Sequence, residues 1–205
     1  MGKSAILKKI HKSAINYQQY LAGKTFLYIY EGKSIEVVFK NSSFLHLTGV
    51  NTKLKAKEFY KHAKTKNGLK VKEFFFDKNH PYDLAEKKTE HLEDLYRITN
   101  TEVLITGDVV TLTTNYRIGI TDLQFILLCG VNKDKHGKII DDCLVPYSFR
   151  IEDIKNDKFG DLYEVDFIFS KQTNEAKYNK LEYKGSKEIS KIPGEILTKI
   201  NDKLQ

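Results

Sequence analysis

Apolar residues recur at spacings of three and four in the first part of the chain and at spacings of two further on, which divides it into helix-forming and strand-forming parts. Ile6, Ile10, Ala14, Tyr17 and Leu21, separated by lysines, predict an amphipathic helix over residues 3–22 that stops at Gly23. Aromatic and β-branched Thr25–Tyr30, then Ser34–Lys40 with Ile35, Val37 and Phe39 alternating, predict a hairpin turning at Glu31-Gly32-Lys33. Asn41-Ser42-Ser43 breaks the strand, and Phe44–Val50 follows as an apolar run carrying His46 and Thr48. Leu54, Phe59, His62 and Ala63 predict a second helix over Thr52–Lys66, capped by Thr52 and stopped at Asn67-Gly68. A third helix is predicted after Pro81, one face marked by Leu84, Lys88, His91 or Leu92, Leu95 and Ile98.

From Val103 the period is two. Val103–Thr106, Val109–Thr114, Arg117–Ile120, Gln124–Val131, Ile139–Pro146 and Leu162–Ser170 read as strands, with turn signals at Gly107-Asp108 and Lys135-His136-Gly137. One more strand is expected around Lys180–Tyr183 and an amphipathic helix over Pro193–Leu204. Helices followed by a meander of short strands predict an α+β fold, with N-terminal helices packed on an antiparallel sheet in a single domain. The expected partition is a domain over residues 1–184 and a lysine-rich C-terminal tail over 185–205.

Composition adds charge to this picture. Of 205 residues, Lys+Arg number 34 against Asp+Glu 27, for a formal net charge of +7, and 31 of the cations are lysine. That surplus suits long-range attraction of a polyanion and equally suits a well-solvated surface. Twelve Phe, twelve Tyr and three Pro describe a chain that buries a core and exclude a disordered one. The most apolar stretch, Leu123–Val131, is about half of the 18–20 residues a membrane span needs. The basic N-terminus lacks an apolar segment with a cleavage site, and Ala5 and Ile6 fit a myristoylation signal poorly. A cytoplasmic protein without membrane contact is expected. Cys129 and Cys143 fall on two predicted strands flanking a hairpin and are expected to be reduced. The sequence lacks CxxC, HExxH, GxGxxG, GxSxG and Walker A patterns, so no metal or cofactor is expected.

Candidate chemistry centres on His46 and Thr48, which project the same way if their segment is extended. Imidazole titrates near neutrality and suits general acid–base catalysis, while a hydroxyl beside it can hold a phosphate oxygen. On residue types alone, a histidine between two leucines is equally at home as a structural hydrogen-bonding group.

The segment Asn41-Ser42-Ser43-Phe44-Leu45-His46-Leu47-Thr48-Gly49-Val50, with Ala56-Lys57-Glu58-Phe59-Tyr60 after it and Tyr20-Leu21-Ala22-Gly23-Lys24-Thr25-Phe26 before it, resembles a phage-associated nuclease family. This is the fourth subfamily of phage proteins grouped with the barnase, EndoU, colicin and RelE ribonucleases, and the likeness runs from about Tyr17 to Lys184. The resemblance implies N-terminal helices on an antiparallel sheet of about four strands. It also implies RNA cleavage without metal or cofactor, by attack of the 2′-OH on the adjacent phosphate, in a phage or mobile-element enzyme acting, toxin-like, in the bacterial host cytoplasm. In that chemistry His46 is the candidate base or acid and Thr48 a phosphate donor beside it. Arg117 offers a planar fork for a phosphate, and Lys171, closing the strand Asp166–Ser170, a second cation. Tyr116 and Ser148 are candidate substrate contacts, by binding phosphate or stacking on a base, while Tyr116 and Tyr147 read as readily as sheet aromatics. His62 and His91 are the histidines nearest the motif, whereas His11, His80 and His136 read as surface residues, so the second titrating group is left open, or Lys171 with a depressed pKa fills the role. RNA is the expected partner, with a host or phage protein as a further one. The alternative is a non-catalytic module of phage origin, for counter-defence or the virion, holding nucleic acid or a host protein.

Overall fold

The computed structural model describes residues 2–110, 115–151 and 160–205. Helix α1 (Lys3–Tyr20) buries Ile6, Ile10, Ala14 and Tyr17, the stripe set out by the sequence. Strands β1 (Lys24–Tyr30) and β2 (Lys33–Val38) form the expected hairpin, in register from Thr25↔Val38 to Tyr30↔Lys33. Next come α2 (Phe44–Thr48), β3 (Asn51–Thr52), α3 (Ala56–Lys64), β4 (Phe74–Phe75) and α4 (Tyr82–His91), the last running into a 3-10 segment over Leu92–Thr99.

The remaining strands are β5 (Leu104–Val110), β6 (Asn115–Thr121), β7 (Ile126–Lys133), β8 (Ile139–Arg150), β9 (Leu162–Glu164), β10 (Phe167–Gln172) and β11 (Lys180–Lys184), followed by the short helix α5 (Gly194–Leu197). Among the described residues they build one nine-stranded sheet of order β11-β10-β1-β2-β8-β7-β6-β5-β9, more than twice the about four strands that the resemblance implies. The architecture is α+β and the pairing antiparallel, except where β2 meets β8 in parallel through Val37↔Leu144.

Alternation along the strands separates two faces. Phe26, Tyr28 and Tyr30 of β1 and Ile168 of β10 face the main core with the N-terminal helices. Leu27, Ile29, Phe167 and Phe169 face a second core, closed by Tyr178, Ile192, Ile196 and Ile200. Full burial of such a side chain contributes about 1.5–3 kcal/mol, so the C-terminal segment is held as firmly as a core element.

Several expectations are corrected. The second helix begins at Ala56, because Thr52 instead pairs with Phe74 and its hydroxyl donates to the Glu73 carbonyl. Gly107-Asp108 is no turn but lies inside β5, where Gly107 pairs with Ile118. The end of the strand expected over Val109–Thr114 lies outside the described residues. Leu162–Ser170 divides into β9, paired with β5 at one edge, and β10, paired with β1. The Val165 N–H bonds the Val103 carbonyl and the Asp166 N–H bonds the Ile29 carbonyl, so the break sits where the chain changes partners. The C-terminal helix shortens to α5 and a 3-10 turn over Asp202–Leu204.

Candidate active site

The Phe44–Val50 run is helical where His46 stands, because tertiary anchors outweigh its short apolar pattern. Phe44 is fully buried, its ring 5.2 Å from those of both Tyr17 and Tyr60. The Tyr17 hydroxyl donates to the Lys40 carbonyl at 2.8 Å, fixing the chain just before α2. Gly49 ends the helix in the left-handed region, at φ +75°, and lies against α4.

Two residues apart on a helix is not one face, and the extended reading of His46 and Thr48 is therefore corrected. His46 is exposed, whereas Thr48 is fully buried with its hydroxyl donating to the Leu45 carbonyl at 2.7 Å. Thr48 closes the helical turn, and its hydroxyl is shut off from solvent.

His46 opens onto a cleft of about 530 Å³ between α2 and α4 on one side and β6 and β8 on the other. Among the residues lining it are Tyr116 and Ser148, both anticipated, and His80, Lys88, Tyr147 and Arg150, which were not. Although the ring meets solvent at the cleft mouth, partial desolvation by the surrounding walls lowers the His46 pKa below 6.5, and the nearby His80 and Lys88 act in the same direction. Its imidazole is thus neutral, with a lone pair, at pH 7.

His80 is the surface residue expected of it, and it also lines the cleft. Its Nδ1 lies 3.2 Å from Asp77 Oδ1, while Asp77 Oδ2 accepts from Asn51 Nδ2 at 2.5 Å. A carboxylate only accepts, so Nδ1 carries the proton and Nε2 is left for the cleft. Asp77 is held down at about 2, first by the Asn51 bond and then, against some desolvation, by the His80 and Asn79 backbone N–H groups and the His80 ring. The Asp77 side chain bonds both N–H groups within one turn, so Asp77-Lys78-Asn79-His80 is locally braced.

Lys88 is 7% exposed on the inner face of α4, and Lys88 and Arg150 bring positive charge to the same cleft. The signal for Lys88 was its place between Leu84 and Leu92 on an otherwise apolar helical face. The signal for His80 was an aspartate three residues ahead.

Arg117 and Lys171 are not brought to this cleft. Arg117 lines a separate cavity of about 280 Å³ with Glu36, Asp142 and Lys199. Burial raises the Glu36 pKa, but hydrogen bonds from Lys199 and Tyr178 outweigh it, and the net shift is downward. Lys171 shares β10 parity with Phe167 and Phe169, and its Nζ stands 4.8 Å from the Tyr178 ring centroid, at the second core. Strand alternation directs it away from the N-terminal helices.

Other titratable groups serve the fold. His62 Nδ1 pairs with Glu73 at 3.0 Å and His11 Nδ1 meets the Ala63 carbonyl at 2.7 Å. Both cysteines are unbridged. Burial first, then Asp141, pushes the Cys143 thiol up to about 11, so it holds its proton and is no nucleophile. Among the described residues no three His, Cys, Asp or Glu converge as metal ligands, and no helix is long and apolar enough to cross a membrane.

A family model described as phage-Barnase-EndoU-ColicinE5/D-RelE like nuclease4 matches residues 9–187, a span that includes every cleft residue named above. No curated protein and no solved structure matches the chain.

Proposed function

The chain belongs to the phage-Barnase-EndoU-ColicinE5/D-RelE like nuclease4 family, and from that premise we propose that it is an endoribonuclease working through His46 and His80 without a metal. The observation that carries this reading is the convergence of two imidazoles and two cationic side chains on one cleft. Strand scission at a ribose needs a base for the 2′-OH, an acid for the leaving oxygen and positive charge around phosphorus.

Neutral His46 takes the 2′-OH proton as that oxygen attacks the adjacent phosphorus. The P–O5′ bond breaks, and His80, aimed by Asp77 through its Nδ1–H, serves as the acid that delivers a proton from Nε2 to the departing 5′-oxygen. The products are a 2′,3′-cyclic phosphate and a 5′-hydroxyl. Lys88 and Arg150 attract the charge that accumulates on the phosphoryl oxygens, and the Ser148 hydroxyl donates to one of them. Tyr116, packed on Ile126 and Leu128, borders the site as a substrate contact.

The test is cleavage of RNA by purified protein in EDTA, with product analysis for the cyclic phosphate. His46→Ala and His80→Ala are each expected to lower kcat by about a hundred- to ten-thousand-fold, the usual contribution of a positioned acid or base. DNA of the same sequence, lacking the 2′-OH, stays intact. RNA left uncut at high enzyme concentration in EDTA refutes the reading, and salt-sensitive RNA binding without cleavage would then identify a binding module.

A further inference from the structure

Tyr147 occupies an unusual place in the sheet. Leu128 pairs with Ser148 and the next residue, Cys129, pairs with Pro146, so Tyr147 is an extra residue with no partner across the strand. Such a bulge bends its strand and re-aims one side chain. Pro146, which has no N–H, sits beside it.

The ring is nevertheless fixed. Its hydroxyl donates to the Val131 carbonyl at 3.0 Å. Its Cδ2 and Cε2 atoms both lie 2.7 Å from where a Cβ on Gly130 would stand, a distance no real side chain tolerates. The ring rests along one edge on the bare backbone of Gly130, with its tip tied at Val131. At 41% exposure it is among the large apolar residues left at the surface, and it lines the cleft that holds His46 and His80. Among the described residues no other ring and no cation stacks on it.

A rigid aromatic ring, standing on its edge beside two imidazoles and two cations, matches the flat face of a nucleobase. Its order is already provided by the protein, so a base stacking there costs no further freezing of the side chain. A paired base inside a duplex is covered on both faces and cannot reach it. We infer that Tyr147 is the stacking platform for the base next to the cleaved phosphate, and that it restricts the enzyme to single-stranded RNA. The inference rests on the endoribonuclease reading and adds a substrate class to it.

The experiment uses DNA oligonucleotides with a single ribose as the one cleavable position, carrying either adenine or an abasic residue 5′ or 3′ of the cleaved bond. On one of the two sides the abasic substitution is expected to lower kcat/KM of the wild-type protein about tenfold, mostly through KM. Tyr147→Leu, which keeps an apolar cover over Gly130, loses that discrimination, and Tyr147→Phe retains it. A Tyr147→Leu protein that discriminates as the wild type does overturns the platform while leaving the nuclease reading intact. Fluorescence of a 2-aminopurine at the same position reads the stack without chemistry. Quenching by wild type but not by Tyr147→Leu supports the platform even where nothing is cut, and equal quenching by both overturns it.

Discussion

Gly49 joins stability to the site, and Gly49→Ala measures both. The residue sits at φ +75°, where a side chain costs about 1–2 kcal/mol of backbone strain. The new Cβ would stand 2.9 Å from Lys88 Cδ and 3.2 Å from Ala85 Cα. The lysine stem can swing away, but the backbone of α4 can yield only by moving the helix, and overpacking of this kind adds about 1–3 kcal/mol. The sum is about 3 kcal/mol, or a fall in Tm of about 10 °C for a protein of this size. Thermal unfolding followed by circular dichroism reads it. Lys88→Ala removes the 2.9 Å contact and leaves the one to Ala85, so in that background the Gly49→Ala penalty should shrink by about 1 kcal/mol and not vanish. Shifting α4 also withdraws Lys88 from His46, so RNA cleavage should fall with Tm. A Gly49→Ala protein melting within about 1 °C of wild type would refute this account of how α2 and α4 are held together.

Four further outcomes are expected. Because the folded pKa of His46 is lowered, the unfolded chain binds the extra proton first as pH falls, so stability and kcat/KM both decline below 6.5; an acid limb of the rate profile above that pH would contradict the assignment. Asp77→Asn keeps the shape of the turn but frees the His80 tautomer, and cleavage should drop about ten- to a hundredfold with little change in fold. Asp77 has a depressed pKa, so its stabilising contribution is present above its ordinary 3.8 and is lost as pH falls towards about 2, and the acid-unfolding curve of Asp77→Asn should be the flatter over that window. Arg117→Ala and Lys171→Ala should keep kcat/KM within about threefold at physiological salt, where charges beyond about 8 Å are screened; a catalytic loss in either would return these residues to the site.

What the sequence makes legible is local. The α1 stripe and the β1–β2 hairpin follow from spacing and turn residues, and their structures agree with it. Phe44–Thr48 is too short for its period to decide between helix and strand, and the answer comes from Tyr17 and Tyr60, which close on Phe44 from elsewhere in the chain. The division of Leu162–Ser170 depends on Val103 and Ile29, whose carbonyls the sequence alone cannot bring near. The site shows the same division. His46 is reached through its motif, and Tyr116 and Ser148 join it, because β6 and β8, which flank β7, carry them to one cleft. Arg117 and Lys171 are equally plausible as residue types, but pairing partners far along the chain set the face on which a strand residue emerges. Lys88 was visible as a cation within an apolar helical stripe, a placement that costs burial unless something anionic or polar meets it.

The parallel junction of β2 with β8 gives this sheet a seam. Everywhere else the strands zip together over several residues, but here one pair in register, Val37↔Leu144, joins β11-β10-β1-β2 to β8-β7-β6-β5-β9. In chain terms α2 and α4 follow β2, yet α2 packs on β8 and β6 and β8 supply the opposite wall, so the cleft lies to one side of that line. A bound strand of RNA would therefore brace one half of the sheet and leave the seam itself unloaded, so amide exchange along β8 should slow when substrate is held while exchange along β1 stays as it was.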